Sequence, residues 1–412
     1  MRFWKHLLIA AVMIAMILAV SACAPRRRRY ITPTPQSIVT ATTQAGLAAS
    51  ATPVASPTAT PLPGPFGPTG FPGNVNPLTG LIVSDPNVLM RRPMLIKISN
   101  ESIKIRPQTG LSYADHVWEY QMEGYALTRF TAVYFGQAPD KVGSVRSIRL
   151  IDMENLVDMY GAILVGSGGS SNHYAPDTPP RTDELLRRQP WANRVISGDY
   201  IGLAAYADPY LIRIPDIPRP GMAFEATMFA VPSAIWEYAS EKGFNQRPSL
   251  DGLLFNYTPP AGGVQTSKVS IDYPGRGPKH NWQYDSASVR WLSSTEDQQQ
   301  PTPVDTVDMD YLTGKQLGFD NVMIVYAIHF DADYIEDEHE QIPGVHVTLN
   351  GTGQCVLLRD GMRYDCIWSR ADKGGMMQFV DANNNPLPFK PGTIWFNVAS
   401  SNVAKPTIEF SP

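Results

Sequence analysis

The chain has 412 residues, with 34 basic and 38 acidic side chains, a net charge of −4 and only 3 cysteines. Six basic residues (Arg2, Lys5 and Arg26 to Arg29) lie ahead of residue 31, which leaves 28 basic against 38 acidic groups for everything that follows. An acidic body on a basic foot argues against nucleic acid as a partner, because a phosphate backbone demands a positive face.

Arg2, Lys5 and His6 precede the apolar run Leu7 to Val20, which is short of the about 20 apolar residues that span a bilayer. Followed by small residues, it has the layout of a secretory signal peptide over residues 1–22. Val20-Ser21-Ala22-Cys23 resembles the lipobox of bacterial lipoproteins. That resemblance implies a cleaved chain whose new first residue, Cys23, is acylated, and hence an extracytoplasmic protein anchored to the lipid membrane. Arg26 to Arg29 would then sit at the headgroups, each worth about 1 kcal/mol near an anionic surface. From Tyr30 to Ser84 there is no charged residue, only a Pro-, Thr-, Ala-, Ser- and Gly-rich run. Such a composition cannot offset the entropy of ordering, so residues 23–75 are expected to form a disordered, semi-rigid stalk.

Next in the chain, Met94-Leu95-Ile96-Lys97-Ile98 predicts a buried strand. Val117 to Met122 and Thr128 to Phe135 predict a hairpin about Glu123-Gly124-Tyr125. Ser147 to Tyr160 reads as a helix, Ala162 to Val165 as another strand and Pro232 to Gly243 as a second helix. These elements predict a mixed α/β domain over residues 76–245, closed by a cluster of Pro248, Pro259, Pro260, Gly262 and Gly263. Residues 265–402 predict a smaller β-rich domain, with strands at Val269–Tyr273, Val322–Phe330, Val345–Leu349, Met377–Val380 and Ile394–Val398. The fold class expected is therefore α+β. Asp360-Gly361, flanked by β-formers, signals a two-residue type I′ turn that sets Cys355 directly opposite Cys366. Their Cα atoms would be about 5.5 Å apart, within disulfide range, and an oxidising compartment favours the bond over two thiols.

In the first domain, Asn76-Pro77-Leu78-Thr79-Gly80, Arg106-Pro107-Gln108-Thr109-Gly110-Leu111, Ala114-Asp115, Glu119, Glu123-Gly124, Thr128-Arg129-Phe130 and Val145-Arg146-Ser147-Ile148-Arg149 follow one another in order. That string resembles the N-terminal domain of the bacterial lipoproteins typified by YerB. Trp282-Gln283-Tyr284-Asp285, Thr313-Gly314-Lys315-Gln316-Leu317, Trp368-Ser369-Arg370 and Pro391-Gly392-Thr393-Ile394-Trp395 resemble that family's C-terminal domain. The resemblance implies a two-domain lipoprotein whose activity is unassigned. The chain departs from the pattern at Tyr125, where a second glycine is usual, and at Asn383-Asn384-Asn385, where Asp-Gly is common.

Chemistry is less legible. Glu119, Gln121 and Glu123 alternate onto one strand face, with Arg129 expected within cross-strand reach of the carboxylates. Arg146 and Arg149 fall at the expected start of the next helix, and a glycine-rich run leads to His173. Two guanidinium groups beside free N–H groups suit an anion. Arg106 and Asp115 join this ligand-binding set from the family motifs. The competing expectation is a structural ion-pair network. A triad of Ser167 or Ser170 with His173 and Asp177 lacks the nucleophile-elbow signature. The acidic run from His329 to Glu340 fits no calcium or zinc spacing and reads as a solvated hairpin tip, so neither metal nor cofactor is expected. Trp282, Tyr284, Trp291, Trp368 and Trp395 read as core residues before a saccharide-binding face. The function expected is non-catalytic binding of a polar or anionic envelope ligand, or of a protein partner. The alternative is an envelope-polymer enzyme with Glu119 or Glu123 as acid/base. Whether those two carboxylates face solvent or lie sealed separates the two.

Overall fold

Three strands, β1 (Met94–Asn100), β2 (His116–Gln121) and β3 (Thr128–Tyr134), are buried along their whole length in the computed structural model. It describes residues 62–101, 103–171, 179–197, 208–275, 277–298 and 301–412. The leader, residues 23–61 of the expected stalk and His173 lie outside the described residues. Residues 62–75, expected to be disordered, are instead ordered on the body, with Phe66 bridged to Phe255 and Val75 fully buried. Continuous burial means that a layer covers each face of these strands. The expected hairpin is present: β2 and β3 pair antiparallel across a tight turn at Glu123–Tyr125, with Gly124 at φ 66°. β4 (Ile163–Gly166) adds parallel to β1, and β5 (Val195–Ser197) parallel to β4.

Later in the chain come β6 (Lys268–Asp272), β7 (Lys279–Asp285), β8 (Arg290–Glu296) and the long β9 (Asn321–Asp337). They are followed by β10 (Ile342–Thr348), β11 (Gly351–Arg359), β12 (Met362–Arg370), β13 (Gln378–Val380), β14 (Ile394–Ser400) and β15 (Thr407–Ser411). One sheet runs β13-β12-β11-β9-β14-β2-β3-β1-β4-β5. Its seam is β14, which lies between β9 and β2 and is parallel to both, so strands from either side of residues 245–265 share a single hydrogen-bonded surface. A second sheet, built on β8-β7-β6-β15, covers one face. Trp282, Trp291 and Tyr273 pack there against Phe130, Val117 and Trp395. The other face is covered by the helical segment ending in Val157–Tyr160, whose Ile151, Met153 and Leu156 pack with Leu95, Trp118 and Tyr120.

The molecule is α+β but richer in strand than the sequence pattern implies. Among the described residues the helices Val157–Tyr160, Thr182–Arg187 and Pro232–Glu241 are short. The helix expected from Ser147 starts only at Leu150. Its first residues are held extended by neighbours instead: Arg146 N–H donates to the Lys97 carbonyl (3.0 Å) and Ile148 N–H to that of Gly168 (2.8 Å). The turn at Asp360 (φ 53°) and Gly361 (φ 72°) is left-handed at both positions, as type I′ requires. It sets Cys355 opposite Cys366, and the two form a disulfide with Cα atoms 4.8 Å apart. The named tryptophans Trp282, Trp291, Trp368 and Trp395 are core residues, none more than 2 % exposed.

Burial on both faces leaves the charges of β1 nowhere to go. Lys97 Nζ lies 3.1 Å from Asp152 Oδ2 and bonds the Tyr120 hydroxyl, which itself donates to Asp152 Oδ1 at 2.6 Å. Burial pulls the Lys97 ammonium down from 10.5 to about 7, against the opposing pull of Asp152.

Two outcomes are expected. Replacing both cysteines by alanine releases an 11-residue separation and should lower unfolding free energy by about 3 kcal/mol in urea titrations. Between pH 7 and 10.5 the unfolded chain holds a proton at Lys97 that the folded chain does not, so stability should climb with pH across that window. Urea midpoints at pH 7, 8.5 and 10 should rise in the native protein and rise less in Lys97→Met.

Candidate functional site

The sequence-predicted residues fall on opposite faces of the central sheet. On the face beneath the second sheet, Glu119 is fully buried. Its Oε2 is 2.5 Å from His280 Nδ1, and its Oε1 accepts from Thr128 Oγ1 at 2.9 Å. The Trp395 indole N–H adds a longer bond of 3.3 Å to Oε2. From His280 the network continues: Nε2 lies 2.8 Å from Ser293 Oγ, and Ser293 donates to Asp308 Oδ2 at 2.6 Å. Arg106 Nε donates to Asp308 Oδ1 at 2.7 Å, and its Nη2 to Asn100 Oδ1 at 2.7 Å. Burial would push the Asp308 carboxyl up, but Arg106, His280 and the Ser293 bond together hold it below its usual range.

This arrangement contains a serine, a histidine and a glutamate in the order of a hydrolytic triad. The serine hydroxyl, however, is shared with Asp308, to which it donates at 2.6 Å. Both ring nitrogens of His280 are therefore engaged, one by Glu119 and one by Ser293. Ser293, His280 and Glu119 are 1 %, 2 % and 0 % exposed, so no substrate carbonyl reaches the hydroxyl. The network is a clasp between β2 and the second sheet.

Glu123 follows β2 but does not share the face of Glu119, because the turn at Gly124 swings it towards the helical side. There it meets Arg149 in a bidentate pair, Nε to Oε2 at 2.8 Å and Nη2 to Oε1 at 2.6 Å. Arg149 also lies 3.3 Å from Glu336 Oε1, on the far part of β9. Glu336 in turn accepts from Ser170 (2.9 Å) and Thr182 (2.8 Å). Burial would raise the Glu123 carboxyl, yet Arg149 holds it well below the usual carboxylate range. Part of the acidic run therefore clamps the glycine-rich segment; among the described residues no three His, Cys, Asp or Glu side chains converge as a metal site would need. Asp115 is buried with a structural set of partners: it accepts from Asn76 Nδ2 (2.6 Å) and the N–H groups of Phe135 (2.6 Å) and Gly136 (3.2 Å). Burial raises it to about 6 against those bonds.

Arg129 stands across from Tyr120 and Ser99, hence on the face opposite Glu119. Its partner is Glu101, a residue no motif singled out. Glu101 Oε1 accepts from Arg129 Nη2 at 3.1 Å, from Arg146 Nε at 2.9 Å and from Arg146 Nη2. Burial would raise the Glu101 carboxyl, but the two guanidinium groups hold it low. Beside this fork is a cavity of about 180 Å³ lined by Ser99, Glu101, Ile105, Arg146, Ala223, Glu225 and Ala226. Ser99 Oγ and Arg129 Nε are both buried without a hydrogen-bond partner. Thus Arg129 and Arg146 are brought together, Glu123 and Arg149 form a separate pair, and Glu119 with Arg106 belongs to the clasp. His280, Ser293 and Asp308 lie more than 150 residues from Glu119 along the chain, and no local pattern could have joined them to it.

Residues 78–185 match the family described as "Protein of unknown function (DUF3048) N-terminal domain", and residues 269–396 its C-terminal counterpart. A curated relative, "Putative lipoprotein YerB" of Bacillus subtilis (strain 168), is 27 % identical over 326 residues, covering 78 % of this chain and 85 % of that protein. The crystal structure of the YerB protein from Bacillus subtilis superposes with a TM-score of 0.59 at 25 % identity, over 81 % of this chain and 99 % of that one. With both halves matched in order and the fold shared, the chain belongs to the YerB-like family of two-domain proteins of unknown function.

Proposed function

We propose that this protein is an extracytoplasmic lipoprotein, held to the membrane by an acyl chain on Cys23, that binds the anionic group of a cell-envelope ligand at Arg129 and Arg146. One observation carries the binding site: two partly buried guanidinium groups converge on a single carboxylate oxygen beside a cavity in which a buried serine hydroxyl has no partner. Guanidinium groups in such a fork are the side chains best matched to carboxylate and phosphate. The tether rests on the lipobox-like Val20-Ser21-Ala22-Cys23 and on likeness to a relative whose name describes it as a lipoprotein. An acid/base role for Glu119 or Glu123 has no such support. The first is sealed against His280 without an approach for substrate, and the second is held in a bidentate pair by Arg149.

A thermal-shift series on the mature protein with acetate, citrate, sulfate and phosphate should raise the melting temperature. A ligand at one hundred times its Kd adds about 2.7 kcal/mol. The double change Arg129→Gln/Arg146→Gln should abolish that rise, and survival of the rise would sink the assignment. Radiolabelled palmitate fed to expressing cells should appear on the native protein and not on Cys23→Ala, which should leave the membrane fraction. An unlabelled native chain would remove the anchor.

A further inference from the structure

The fork at Arg129 and Arg146 has more donors than its present partner satisfies. Glu101 reaches it from the residue after β1, and its Oε1 takes both Arg146 donors and one from Arg129. Arg129 Nε stays buried and unpaired, and so does the hydroxyl of Ser99, the residue beside it in the β1–β3 ladder. A planar carboxylate fixed to residue 101 leaves these two donors unmet. A tetrahedral group with three acceptor oxygens could take one guanidinium on each of two oxygens and Ser99 on the third.

Charge and size point the same way. Glu101 is the carboxylate bonded to both Arg129 and Arg146, while Glu123, paired with Arg149, also acts on Arg129 from further off. With Glu101 withdrawn, the fork keeps two cations and no bonded carboxylate, which suits an entering anion. Glu225 on the outer wall is exposed, and solvent screens it. A cavity of about 180 Å³ is well below the roughly 300 Å³ where sites for whole drug-sized ligands begin, so it suits a terminal group. Glu101 has a way out, since its side chain is 31 % exposed while Arg129 is 8 % exposed.

We propose that this fork is a phosphate-group site and that Glu101 is its resident competitor, a carboxylate that must swing aside before phosphate enters. The proposal rests on the reading of Arg129 and Arg146 as the ligand site and adds the ligand's class and its regulation. A free phosphate and a phospholipid headgroup share this chemistry.

Isothermal titration calorimetry of the mature protein with inorganic phosphate tests it. Glu101→Gln removes the competing charge and keeps the side chain's shape, and should bind phosphate at least tenfold more tightly than the native protein. Adding Ser99→Ala to Glu101→Gln should lose most of that gain, and adding Arg146→Gln should abolish binding. Melting temperature and near-ultraviolet circular dichroism of each variant show that it folds. Equal phosphate affinity in native protein and Glu101→Gln overturns the competitor. Arginine-dependent binding of citrate with no phosphate binding to Glu101→Gln overturns the phosphate class and leaves the anion-binding function standing, whereas no anion binding in any variant overturns both. Co-sedimentation with phosphatidylglycerol vesicles, and not with phosphatidylcholine vesicles, in an Arg146-dependent manner would assign the headgroup. Binding of inorganic phosphate alone would assign the free ion.

Discussion

The constraint on which the molecule depends is that β1, β2 and β3 carry ionisable residues through a sheet covered on both faces. Lys97, Glu119 and Arg129 cannot reach water, and an unpaired buried charge costs several kcal/mol. Each is therefore met by a partner delivered from elsewhere in the chain: Asp152 from the helical segment, His280 from the second sheet, Glu101 from the end of β1. These pairs fix which element lies over which face, because any other packing would leave a charge without its mate.

Seen this way, the two faces have different characters. Beneath the second sheet, the path from Glu119 through His280, Ser293 and Asp308 to Arg106 is saturated, each donor finding an acceptor. Replacing such a set with apolar residues is often harmless to stability, whereas removing one member is not, so its value is in specifying the fit of one layer on another. The helical face is unequal: Arg149 has two carboxylates, and Arg129 with Arg146 has one. Saturation on one face and shortfall on the other is the contrast on which the proposed anion site rests.

How much of this was visible in the residues beforehand depended on how local the determining contact is. The β2–β3 hairpin, the type I′ turn at Asp360-Gly361 and the cysteine pair opposite one another are set by neighbours within a dozen residues, and alternation alone predicts them. The start of the helix at Leu150 was not legible, because the backbone from Val145 to Ile148 is recruited by Met228, Lys97 and Gly168. Arg129 was placed with Glu119 on spacing, but the ladder register puts it with Tyr120 and Ser99 instead. Glu101 looked like an ordinary acidic residue leaving a strand. His280, alternating with Trp282 along β7, gave no signal until Glu119 was set against it. Composition carried the expectations for the leader and stalk, but the partners of buried charges are a property of the fold.

The position of β14 has a consequence for biosynthesis. The strand that completes the edge of β2 is drawn from residues 394–400, 273 residues after β2 ends at Gln121. A polypeptide emerging amino terminus first must keep β2 unzipped on that side until β14 is delivered. In the interval its bare amide edge is open to pairing with other chains, the hazard that unprotected sheet edges carry. A chain stopped before residue 394 would therefore keep that edge of β2 bare, with the aggregation hazard an unpaired edge carries.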